Sequence, residues 1–111
     1  MLEELRELGV EVDKILGTLN GKQSLYERLI FKFYDLVKKS NMTEDNLEEI
    51  YERVHALKGT SGNLGITPLF DEYVKILTLI REDKMNEVPT AIRDMLPIQE
   101  KILDCIEKYK K

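Results

Sequence analysis

The sequence predicts an all-α protein: an up-down four-helix bundle with a short additional N-terminal helix. Three observations lead there. Glycine and proline are scarce, 6 and 3 among 111 residues, and strong helix formers fill the intervals between them. Apolar residues recur at helical spacing, and no alternating strand pattern of useful length interrupts them. The breaks are short, so consecutive helices should lie antiparallel beside one another.

Length and composition narrow the function classes. The chain suits a single domain, residues 1–111. With 42% apolar and 34% charged residues, it is too apolar for a disordered tail and normal for a small core. The formal charge is −4, from 17 basic and 21 acidic residues. A phosphate-backbone binder would usually be basic, which speaks against nucleic acid. No apolar run approaches the roughly 18–20 residues that span a bilayer. Met1 to Leu8 carries glutamates where a secretion signal needs an apolar core. Cys105 is the one cysteine, so it can form neither an internal disulfide nor a thiolate metal site. These features lead to the expectation of a cytoplasmic monomer with no cofactor and no membrane partner. The start at Met1 and the tidy end favour a free-standing module.

Taken in order, Val12, Ile15, Leu16 and Leu19 form a short amphipathic helix stopped by Asn20-Gly21. Leu25, Leu29, Ile30, Phe33, Leu36 and Val37 then predict a helix from about Lys22 to Lys39. Tyr26, Phe31 and Tyr34 flank its stripe and fit either a core edge or a docking surface. Thr43 reads as the N-cap of the next helix, with Glu44 and Asp45 in the dipole-favoured first turn. In that helix Leu47, Ile50, Val54, Leu57, Ser61 and Leu64 make a coiled-coil-like seam with a serine in one core slot. Gly65 is placed to end it in a left-handed cap. Thr67-Pro68 reads as N-cap plus first-position proline. Leu69, Tyr73, Ile76, Leu77 and Ile80 carry a further helix to about Asp83. Asn86 reads as the cap of the last, with Pro89 in its first turn. Ile92 and Leu96 form one stripe of it; Ile98, Ile102, Cys105, Ile106 and Tyr109 form another. Pro97 between them deprives the Arg93 carbonyl of its partner and predicts a kink or break. Cys105 itself reads as a buried structural thiol.

The only histidine, His55, lies on the most regular helix. At 100° per residue it falls about 130° from the centre of the apolar seam, so it should face solvent. Gly59 and Gly62 follow on the same exposed side. A mid-helix glycine costs roughly 1 kcal/mol relative to alanine, and close packing in a core would not explain one on a solvent face. Lys58 stands within i, i+3 reach of His55. An exposed imidazole, a cation one turn away and cleared space suit phosphate handling. The unprotonated ring nitrogen is a nucleophile at neutral pH, and an ammonium neutralises phosphoryl charge as a point charge.

The stretch His55-Ala56-Leu57-Lys58-Gly59-Thr60-Ser61-Gly62-Asn63-Leu64-Gly65 resembles the signature of histidine-containing phosphotransfer domains: H-x-L-K-G, small residues, then an apolar residue and glycine. Gly21 to Phe33, the helix order and the length are similar to that family as well. The resemblance covers nearly the whole chain. It implies a phosphorelay intermediate that exchanges a phosphoryl group with the aspartate of response-regulator receiver domains. His55 matches the phosphoacceptor, Lys58 the lysine that favours the phosphorylated form, and Gly59 the glycine that keeps the approach clear. Gly62 occupies a small-residue position and is assigned to access too. Ser61 matches the motif, though its register gives it a packing role. The resemblance implies a carrier with no enzyme activity of its own; magnesium and most of the catalytic groups belong to the receiver. A hybrid sensor histidine kinase is a further partner it suggests. Many members place a Glu or Gln near the imidazole from the adjacent helix; the corresponding residue here is Leu77.

Other readings fit less well. Glu52-x-x-His55 has the spacing of di-iron bundles, which need a second such motif and a second histidine. Gly59-x-x-Gly62-x-x-Gly65 follows no strand, so a dinucleotide fingerprint fails, and Gly17 to Lys22 is one residue short of a P-loop. The remaining alternatives are a helical-bundle adaptor that docks a signalling partner without phosphotransfer, and a domain excised from a longer chemotaxis-type kinase.

Overall fold

The computed structural model describes residues 1–40 and 46–110. At 81% helix, with no strand among the described residues, the protein is all-α. Two short helices, α1 (Leu2–Glu7) and α2 (Val12–Thr18), precede four long ones: α3 (Gln23–Lys39), α4 (Leu47–Asn63), α5 (Thr67–Arg81) and α6 (Val88–Glu107). Each long helix packs against its neighbour in sequence, and α6 returns to α3. That closes the bundle. Its core is built from Tyr26, Ile30 and Phe33 of α3, Ile50, Val54 and Leu57 of α4, Leu69, Tyr73 and Ile76 of α5, and Met95, Ile102 and Ile106 of α6. All are removed from water, and that burial is the main favourable term in folding. No helix among the described residues is long and apolar enough to cross a membrane.

Several local expectations need correction. The N-terminus forms two short helices, not one; Leu2 and Leu5 of α1 are buried beside α6. Thr43 lies outside the described residues. Asn46 caps α4, its Oδ1 accepting from the Glu48 and Glu49 amides at 3.0 and 3.4 Å. Leu47 begins the predicted seam but, at the first position of α4, is 38% exposed. The rest of the seam is buried, Ser61 included. Thr67 does not cap α5. Ile66 holds that position, and the Thr67 hydroxyl donates to Glu11 Oε1 at 2.9 Å, tying α5 to the start of α2. Helix α5 stops at Arg81, and Asn86 sits inside a short 3-10 turn, Met85–Glu87, that leads into α6. Helix α6 runs unbroken through Pro97; packing along its length outweighs one lost hydrogen bond. Met95 is fully buried, whereas Leu96 is 45% exposed. Tyr109 is exposed too, and its hydroxyl donates to Glu4 of α1. Cys105 is buried, and burial pushes its thiol up.

The end of α4 takes the expected form. Gly65 has φ +70°. The Ile66 amide donates to the Ser61 carbonyl at 2.9 Å and the Gly65 amide to that of Gly62 at 3.3 Å, a Schellman closure. The Gly65 carbonyl in turn accepts from the Glu11 amide at 2.9 Å. A Cβ at Gly65 would stand 2.8 Å from Ile15 Cγ1 and 3.1 Å from the Glu11 carbonyl oxygen. Gly65→Ala is therefore expected to cost roughly 2 kcal/mol or more, from left-handed backbone strain plus this clash. Chemical denaturation measures it, and a wild-type midpoint would refute the close approach of α2.

Tyr26 and Tyr34 belong to the core, which decides the question the sequence left open for them; Phe31 is half-buried against it. The Tyr26 hydroxyl donates to the Leu64 carbonyl at 2.7 Å, joining α3 to the end of α4. Burial pushes the Tyr26 phenol up to about 12, and raises that of Tyr73 further. Phenols with native values above the unfolded one contribute full stability below pH about 10 and lose it as pH rises towards 12, since the unfolded chain releases protons the native chain keeps. The denaturation midpoint should accordingly fall steeply above pH about 10. Tyr26→Phe should flatten that fall, besides lowering stability at neutral pH. Parallel slopes for the two proteins would show that Tyr26 is not coupled to alkaline unfolding.

Candidate functional site

Helix α4 carries every residue singled out for function. Ile50, Val54, Leu57 and Ser61 face the core, and this fixes the helix's rotation. The opposite side, with His55 and Gly59, is exposed as its angular position requires. Lys58 is half-buried on the flank. Two hydroxyls are satisfied within the helix: Thr60 Oγ1 donates to the Ala56 carbonyl at 3.0 Å and Ser61 Oγ to that of Lys58 at 3.1 Å. Such bonds to the preceding turn let small polar residues sit in a helix without stranding a buried donor. The packing role expected of Ser61 is thus observed.

The two glycines differ. Around Gly59 no atom lies within 4 Å of where a Cβ would be, so the surface there is open. A Cβ on Gly62 would stand 3.0 Å from Cδ1 and Cε1 of Phe70 on α5. Gly62 is exposed, and its missing side chain also leaves room for the Phe70 ring to lie close against α4. Helical angle alone could not separate the two, because Phe70 comes from another helix.

Lys58, Gly59 and Gly62 line one side of a groove of about 530 Å³ that Lys14 of α2 and Phe70 of α5 help to close. His55 stands outside it. The His55 ring has a partner that sequence reasoning missed. Tyr51, one turn earlier, stacks on it with ring centroids 6.1 Å apart and planes inclined by 25°. The i, i+4 spacing of two rings was the available signal. Leu77 is buried in the core, so that position of α5 supplies no polar group to the imidazole. Among the described residues, no group of three or more His, Cys, Asp or Glu side chains could hold a metal ion.

No family model, curated protein or solved structure matches the chain. What the site can do chemically therefore rests on its residues. An exposed imidazole stands on α4, with an unobstructed surface one turn beyond it and an ammonium on the flank. The arrangement leaves an imidazole open to approach from the solvent side of α4.

Proposed function

We propose that the protein is a histidine phosphocarrier of a two-component phosphorelay, passing a phosphoryl group between His55 and the aspartate of a response-regulator receiver domain. The observation that carries this reading is the pairing of an exposed His55 with open space at Gly59 on the same face of α4. A folded donor can press its acyl phosphate against such a face; a recessed histidine would be out of reach.

In the forward step the unprotonated imidazole nitrogen attacks phosphorus. The P–N bond forms as the bond from phosphorus to the aspartyl oxygen breaks. The carboxylate leaves, and the ring proton stays on the other nitrogen. Near in-line contact supplies much of the rate. Lys58, within a turn of His55, offsets the charge that arrives. Magnesium and the remaining catalytic groups belong to the receiver on this reading, consistent with a carrier that is not itself an enzyme.

The test is a transfer assay against phosphorylated receivers from the source organism. At least one should lose its label to this chain, and the acquired label should be acid-labile and base-stable, as a phosphoramidate is. A receiver that binds tightly yet transfers nothing would favour the adaptor. Failure of every receiver both to bind and to transfer would remove both readings.

A further inference from the structure

We infer that Tyr51 is the positioning residue of this site, its ring setting the plane in which the His55 imidazole meets the phosphoryl group. The inference rests on the phosphocarrier reading and adds to it a residue the motif does not contain. Side chains of a helix lean back over the preceding turn, so the exposed His55 ring is carried towards position 51. There it meets an aromatic face at 6.1 Å and 25°, within the range of offset stacking.

Tyr51 is suited to hold a neighbour still because it is held itself. It is half-buried, packs against the hydrophobic core and borders a depression with Leu47, Ile80 and Met85 between α4 and the end of α5. An exposed imidazole without such a contact would sample several rotamers, few of them aligned with an approaching acyl phosphate. Leu77 brings no polar group to the ring, and among the described residues stacking on Tyr51 is the contact that can restrict it. A flat face constrains the ring plane and leaves both nitrogens free of covalent or ionic engagement. That is what a group needs if it must be nucleophile in one direction and leaving group in the other.

The chain's only histidine gives one assignable set of imidazole resonances, so the contact can be read in the intact protein without any partner. Tyr51→Leu keeps apolar burial and removes the aromatic plane; Tyr51→Phe keeps the plane and removes the hydroxyl. Two readouts are combined: the His55 ring proton shifts, and the single-turnover rate of labelling by phosphoramidate, a small donor that needs no docking face. Tyr51→Leu should move the ring protons towards free imidazole and slow labelling roughly tenfold. Tyr51→Phe should stay within about twofold of wild type in rate and keep the wild-type shifts. Should Tyr51→Leu fail to fold, Tyr51→Met carries the same expectations. Wild-type shifts or rate in the ringless variant would overturn the positioning role while leaving the phosphocarrier reading intact. So would a Phe variant as slow as the Leu variant. A wild-type chain that phosphoramidate and receivers alike fail to label would sink the phosphocarrier reading, and Tyr51's role with it.

Discussion

His55→Gln is expected to abolish phosphoryl transfer and leave the fold untouched. The chain has one histidine, so no second imidazole can take over. The side chain is exposed, and surface substitutions of this kind usually change stability by no more than about 0.5 kcal/mol. Glutamine is also a good helix former, so α4 should persist. The helical signal and melting transition should match wild type while the acid-labile, base-stable label disappears. Label retained at wild-type level would place the phosphoacceptor elsewhere. A base-labile label on the mutant would point to a carboxylate. Either outcome would end the case for His55 as carrier.

Gly59→Gln is expected to separate access from folding. Open space surrounds the position where a Cβ would stand, and replacing a mid-helix glycine should gain on the order of 0.5–1 kcal/mol in helix propensity. The melting temperature should hold or rise. Transfer from a receiver should nevertheless fall by roughly a hundredfold, because displacing the reacting atoms by about 1 Å is enough for such a loss. Gly59→Glu should do the same and add charge repulsion, which makes Gln the cleaner steric probe. Labelling by a small phosphodonor should change little, since a molecule of that size passes beside the new side chain. Wild-type transfer from the receiver would mean that this glycine serves no approach. The comparison must be made at Gly59: at Gly62 the same change would drive a side chain into Phe70, and at Gly65 it would force a left-handed residue against α2.

The helices of the bundle were legible because burial in α3 to α6 follows a one-dimensional period. Ile50, Val54, Leu57 and Leu64 are buried where their spacing puts them, and the same angle places His55 outside. Local chemistry was readable where a single residue dictates it, as at Gly65, whose positive φ was expected from its place after the seam. Reading failed at helix ends. Leu47 has the right phase but is exposed at the first position of α4, and the caps fell to Asn46 and Ile66. Phase says which way a side chain points and not how far the neighbouring helices extend. The leucines of α1 gave a short i, i+3 signal, too brief to stand apart from a loop.

By itself, then, the sequence determined the all-α class, the four long helices, the buried seam of α4 and the exposed face that carries His55 and Gly59, with Lys58 on its flank. Each follows from local composition or from helical phase, properties of consecutive residues. Only the tertiary structure decided that Gly62 makes room for Phe70, that Tyr26 holds the Leu64 carbonyl and that Glu11 closes on Gly65. These are meetings of residues from different helices, and the rotation and offset of packed helices arise from the fit of all their side chains at once. The stacking of Tyr51 on His55 lies between the two cases: the helix brings the rings within reach, and the packing of Tyr51 against the core holds one of them in place for the other.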